Sequence, residues 1–426
     1  MIVFLTLIWL LLEDIIRRLI NGQPAIIVIT KDILLLVAYI LFLTYFVKNK
    51  IQIWKPPFWT FFLVFASFVV INFLFSGNLL VIALGVRSYL WYIPLVFLGY
   101  YLFKKKEKLL KFLQLFSCAA IPLFLFAVLQ YIFWKVNFPL FHPFINTNQL
   151  HSFYLDGVLS LAYRIPSVFG DSQRFAMISL TIFFIALSLY FISQKDSGLN
   201  RKLILISTIS AYGSIILSAS RAAFLGSLVG LFIYYVVCAV WIKKEKYPLI
   251  KGFIRYVAVL AVIISTLFIS SHLGVMTASF QLSSFTAPEY KLRFKAETTA
   301  ITTNANLLSK KGSIISSGYQ YTSLPLTSDW VKSYSVESGI SKIIYEMGLL
   351  GLALYCLFFG SVFYYAGKIV YELKGSDLNY LALAVVVMFF LFLFKFVIHY
   401  GAGDDAFILI PMWLLGGILF KLPELD

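Results

Sequence analysis

The chain lacks nearly everything a soluble protein would need. Of its 426 residues 13% are charged, 19 are acidic and 4 are histidine, against 61% that are hydrophobic. So little polarity cannot cover an aqueous globule. The 3 cysteines, Cys118, Cys238 and Cys356, stand singly in apolar stretches, which excludes a disulfide framework and a thiolate metal site. His142, His151, His272 and His399 are far apart, and neither HExxH nor an acidic DxD pair in an outer loop occurs. No metal and no cofactor are therefore expected, and the adjacent Asp404 and Asp405 read as a solvated turn. There is no Walker A lysine loop and no nucleophile elbow, so ATP hydrolysis and serine hydrolysis have no support. No repeat of fixed period and no low-complexity linker divides the chain, which reads as a single membrane domain over 1–426.

What is present is long apolar sequence, with a mean hydropathy of +0.90. Runs of about 20 such residues match the bilayer core and give about twelve candidate helices. They cover 1–13, 25–47, 57–75, 79–103, 110–134, 174–193, 203–219, 222–242, 253–275, 339–366, 380–398 and 406–420. The expected fold class is an all-α polytopic membrane protein. The first apolar stretch runs straight into LLEDIIRRL without a small-residue cleavage pattern, so no cleavable signal peptide is expected.

The net charge of +16 lies mostly in loops: KNKIQIWK at 48–55, KKKEKLLK at 104–111, QKDSGLNRK at 194–202, KKEKYPLIK at 243–251 and KIVYELK at 368–374. Alternating through the candidate spans, these loops fall on one face together with both termini. Basic loops mark the cytoplasmic side, and no nucleic-acid motif claims the charge. The opposite face carries the long segments 135–173 and 276–338. Within the latter, 288–312 has few turn residues and suits a helix lying along the membrane surface.

On that outer face lie the residues with chemical potential. Arg87 in LLVIALGVRSYLWYIP, Arg174 in GDSQRFAMISL and Arg221 in IILSASRAAFLG each sit in or at the rim of an apolar run. A charge there costs several kcal/mol, of order 3, unless something polar answers it. Guanidinium presents a planar fork of donors suited to phosphate or diphosphate. A lipid diphosphate at this interface would supply the counter-charge the sequence does not show nearby. The plainer reading makes Arg221 a snorkelling residue in a turn of small residues that lets helices pack closely. Arg164 and Arg174 flank RIPSVFGDSQR, where Asp171 can pair with either. Among the carboxylates, Glu337 stands where the large loop meets a helix, as a general base or as a helix cap. Glu346, deeper in that helix, has Lys342 four residues before it and suits an ion pair.

Several of these segments together resemble the bacterial O-antigen ligase and O-antigen or exopolysaccharide polymerase superfamily. They are EDIIRRLINGQPAIIVITKDILL near the start, the Arg87 segment, RIPSVFGDSQRFAM at 164–177, SASRAAFLGSLVGL at 218–231, and ESGISKIIYEMGLLGLALY at 337–355 after the large outer loop. The resemblance implies a GT-C-type glycosyltransferase of the bacterial cytoplasmic membrane, with its active site on the extracytoplasmic side. Such enzymes move a glycan from undecaprenyl diphosphate to an acceptor sugar hydroxyl, inverting the anomeric centre without metal or nucleotide sugar. It assigns Arg164, Arg174 and Arg221 to the diphosphate, with Arg87 in support, and Arg221 also to catalysis. Where many members, ligases especially, carry a histidine, this chain has Glu337, which turns the expectation from ligase toward repeat-unit polymerase with Glu337 as base. Partners implied are the undecaprenyl-diphosphate-linked oligosaccharide, an acceptor glycan, the bilayer and a chain-length regulator. The alternatives are a ligase acting on lipid A core or protein and, in a different class, a lipid-linked glycan flippase. Lys31, Asp32, Lys395 and His399, in or near spans, keep the flippase open.

Overall fold

The computed structural model describes residues 2–19, 25–75, 79–135, 150–155, 158–163, 165–169, 172–194, 198–218, 220–238, 339–398 and 405–426. These residues form helices α1 (Ile2–Leu19), α2 (Ala25–Lys48), α3 (Trp59–Leu74), α4 (Leu79–Tyr89), α5 (Leu95–Leu102), α6 (Lys106–Cys118) and α7 (Ala120–Lys135). After a short hairpin follow α8 (Ser172–Ile192), α9 (Arg201–Leu217), α10 (Arg221–Val237), α11 (Gly339–Glu372), α12 (Leu378–Ile398) and α13 (Ala406–Leu425). Among the described residues, 6 helical segments are long and apolar enough to cross a membrane, and Trp59–Leu74 and Ala222–Val237 are shorter apolar helices. The chain is a polytopic membrane protein. Each apolar segment expected from sequence falls on helix except 253–275, which lies outside the described residues, as do 276–338 and the surface helix expected at 288–312.

Several details depart from the expectation. The segment 79–103 is two helices, because Pro94 has no N–H to give Leu90 and its ring opposes a continued helix. Residues 90–94 wind instead through a turn in which Leu90 and Trp91 both donate to the Val86 carbonyl, at 2.8 and 3.1 Å. The segment 135–173 includes an antiparallel hairpin, β1 (Leu150–Leu155) with β2 (Val158–Tyr163), so the described fold is not wholly helical. Leu155 faces Val158 across a connection whose sequence is Asp156 and Gly157. Asp-Gly between strands is a strong two-residue hairpin signal.

The core centres on α8 and α13, which are buried on nearly every side, while α2 faces largely outward. Helices buried all round carry apolar residues on every face, as both of these do. Glycines set the closest approach: α5 and α13 touch backbone to backbone, and a Cβ on Gly99 or Gly417 would overlap the Leu414 or Val96 carbonyl. A second contact fixes register among α8, α10 and α12. Gly226 of α10 meets Leu391 and Leu180, Gly230 meets Phe184 and Val387, and Tyr234 lies against Phe191 and donates to the Tyr380 carbonyl. Rising numbers on α8 thus follow rising numbers on α10 and falling ones on α12. The N-termini of α8 and α10 share one end with the C-terminus of α12.

Candidate functional site: ion pairs at one end of the bundle

At that end the helices bring buried charges together. On α1, Glu13 and Asp14 are each 1% exposed. Lys31 of α2 donates to both carboxylate oxygens of Glu13, at 2.9 and 2.8 Å. The next residue, Asp32, accepts from Arg87 Nε at 2.9 Å and from the Tyr92 hydroxyl at 2.9 Å, while Arg87 Nη2 donates to the Tyr92 oxygen at 3.1 Å. The Pro94 turn is what presents Tyr92 to this pair. Of these adjacent charges, Lys31 and Glu13 join α2 to α1, while Asp32 joins α2 to Arg87 of α4.

Arg174, in the first turn of α8, joins distant parts of the chain. Its Nε donates to Asp405 at 3.0 Å and its Nη1 to both oxygens of Asp14 at 3.3 and 3.4 Å. The guanidinium lies 4.7 Å from the Phe407 ring centroid, a cation–π contact. Asp405 is held in turn as the N-cap of α13, accepting from the Phe407 N–H at 3.1 Å. Nη2 of Arg174 has no hydrogen-bond partner among the described residues, and the side chain is 29% exposed.

A third group forms where α11 enters. Gly348 has φ 72° and ψ −175°, a conformation essentially reserved for glycine, and it breaks the helix there. Gly339 and Tyr355 both abut Phe396, although about 24 Å would separate them on a straight helix. Residues 339–347 therefore run across the bundle before α11 turns along it. That crossing segment is anchored by polar contacts: Tyr89 donates to Glu346 at 2.6 Å, Asn72 Nδ2 donates to the Glu346 carbonyl at 3.0 Å, and Lys342 lies 3.9 Å from Glu346. Tyr89, Tyr92, Tyr355, Phe396 and Trp413 are among the residues that wall a small cavity of about 30 Å³.

The expectation that Arg87 and Arg174 lack counter-charges within the chain is overturned: Asp32 answers the first, and Asp14 and Asp405 the second. Pairing is what lets these charges exist inside an apolar bundle. Asp405, read from sequence as part of a solvated turn, is instead a cap and an arginine ligand. Its position just before an apolar helix was a usable N-cap signal. Lys342 and Glu346 do pair, as their spacing predicts. Arg221 opens α10, with Ser220 as its N-cap accepting from Ala223 N at 3.4 Å. Arg164, Asp171, Glu337, His399 and Asp404 lie outside the described residues. Among the described residues no group of three or more His, Cys, Asp or Glu side chains is placed to hold a metal ion. Comparison with protein-family models and with curated proteins finds no match to this chain.

Proposed function

We propose that this protein is a polysaccharide repeat-unit polymerase that transfers a glycan from undecaprenyl diphosphate to an acceptor sugar hydroxyl on the outer face of the bacterial cytoplasmic membrane. The observation that carries the reading is the shared level of Arg174 and Arg221. They stand at the starts of the parallel helices α8 and α10, beyond the contact of Leu180 with Gly226. Arg174 is held on two sides and above a ring, which leaves its Nη2 edge for a ligand oxygen. A donor fixed before the ligand arrives stabilises developing charge without reorganising.

In this reading the arginines hold the diphosphate and stabilise the charge that grows on it as the glycosidic bond breaks. Glu337 takes the proton from the acceptor hydroxyl, which then attacks the anomeric carbon from the face opposite the leaving group. Arg164 joins the diphosphate site from the outer segment 135–173. Arg87, engaged with Asp32 and Tyr92, supports the site by joining α2 to α4. The basic loops at the other end of the helices support a cytoplasmic placement of that end, with the site facing outward in this reading. The test is glycan transfer by the purified protein in nanodiscs, with a lipid-diphosphate-linked repeat unit as both donor and acceptor. Chain-length ladders support polymerisation, and intact substrate beside folded protein counts against it.

A second reading, a lipid-linked glycan flippase, is favoured by the broken helices at 90–94 and Gly348, which lie beside the ion pairs Arg87–Asp32 and Lys342–Glu346. Transporters commonly build sites on such interruptions. Movement of a fluorescent lipid-linked glycan between leaflets of proteoliposomes, with no new glycosidic bond, distinguishes it.

A further inference from the structure

At the end of the bundle opposite Arg174, two parallel stretches of helix leave a wedge between them. The guanidinium of Arg201, the first residue of α9, lies 4.9 Å from the Tyr190 ring centroid and donates to the Tyr190 hydroxyl at 3.0 Å. Tyr190 is about 24 Å along α8 from Arg174, so this end is remote from the ion pairs described above. The Asn200 N–H donates to Gln114 Oε1 of α6 at 3.4 Å, and farther along both chains Gly213 of α9 meets Phe124 of α7. The run of α6 and α7 therefore lies beside α9 in the same direction. Lys202, Ile206, Ile209 and Gly213 recur every three or four positions and share one face of α9. Phe124 closes that face at Gly213, but nearer the end it is open, and Ile209 is 62% exposed.

The open end of the wedge is basic. Lys111 stands one helical turn before Gln114, Lys108 one turn before Lys111, and Lys202 two residues after Asn200, and all three are exposed. Measured from the contact of Gln114 with Asn200, Lys111 and Lys202 differ in height by about 8 Å, within reach of two long side chains. Among the described residues of 104–111 and 198–202 the carboxylate is Glu107, and neither it nor these lysines form an ion pair with another described residue. Cations at the mouth of an exposed apolar groove match a ligand with an anionic head and an apolar tail. A free phosphate ion would leave Ile206 and Ile209 uncovered. We infer that this wedge binds an anionic phospholipid of the surrounding bilayer, its phosphate among Lys108, Lys111 and Lys202 and an acyl chain along Ile206 and Ile209 toward the closure at Gly213. Lysines beside a membrane surface attract anionic lipid in this way, and the site is independent of glycosyl transfer.

The test is native mass spectrometry of the full chain in a neutral detergent, titrated with dioleoyl phosphatidylglycerol or dioleoyl phosphatidylcholine, for wild type, K108Q/K111Q/K202Q and K48Q/K50Q/K55Q. The last variant removes the same charge from exposed lysines at the C-terminal end of α2, and thermal unfolding checks that each variant is folded. Wild type is expected to bind phosphatidylglycerol about tenfold more tightly than phosphatidylcholine. That affinity falls about fivefold for each lysine removed from the wedge, changes little in the α2 variant, and survives an excess of inorganic phosphate. Equal losses in the two folded variants would reduce the effect to diffuse charge attraction and overturn the site. Displacement of the lipid by inorganic phosphate would make it a free-anion site and overturn the placement of the acyl chain. No preference for phosphatidylglycerol in wild type overturns the inference outright.

Discussion

Tyr89 and Glu346, 257 positions apart in sequence, share a 2.6 Å hydrogen bond between hydroxyl and carboxylate. The bond fixes the crossing segment of α11 to α4 immediately before the turn at Gly348. Asn72 secures the same residue by its backbone carbonyl. The crossing segment 339–347 is thus anchored at a buried carboxylate.

Removing that hydroxyl leaves a fully buried carboxylate with one donor fewer. Y89F is expected to cost about 1–3 kcal/mol, the range for a hydrogen bond to a charged buried group. Thermal unfolding in a fixed detergent measures it, and an unchanged midpoint counts against the anchor.

The Gly348 turn makes a separate prediction. G348A forces a Cβ into a backbone region that costs about 1–3 kcal/mol for other residues. G360A, on the helical part of α11 with open space around its Cα, is the control and should be neutral or slightly stabilising. Similar behaviour of the two variants would mean that the turn carries no constraint.

Arg174 and Asp405 suit a double-mutant cycle. R174M leaves Asp14 and Asp405 facing each other without their cation, and D405N removes both a charge partner and the full strength of a cap. Breaking one side of a buried pair costs about 3–5 kcal/mol. With its side chain 29% exposed, Arg174 sits toward the lower end. The double variant should lose less than the sum of the singles by about 1–3 kcal/mol. Additive losses would show that the residues act independently.

What the sequence revealed follows from the range of each interaction. Long apolar helices such as α2, α8 and α12 are local in origin and were read almost to their ends. So was the pair Lys342 and Glu346, which lies within one turn. The break at Pro94 and the Asp156-Gly157 hairpin had local signals that the apolar run and the loop length obscured. Arg87 with Asp32 and Arg174 with Asp405 join residues 55 and 231 positions apart, and only the packed bundle decides which carboxylate meets which arginine. The turn at Gly348 is hidden for a similar reason. In GLLGLAL two glycines look equivalent, and only Gly348 takes a positive φ.

The most direct measurement is turnover of a lipid-diphosphate-linked repeat unit by purified protein in nanodiscs, with R221A and E337Q assayed beside wild type. The account predicts a ladder of chain lengths from wild type, lost in both variants while each stays folded, with E337Q still binding the lipid diphosphate. A ladder that persists in folded R221A would contradict the assignment of the arginine level to the reacting diphosphate, and with it the proposed function of the site.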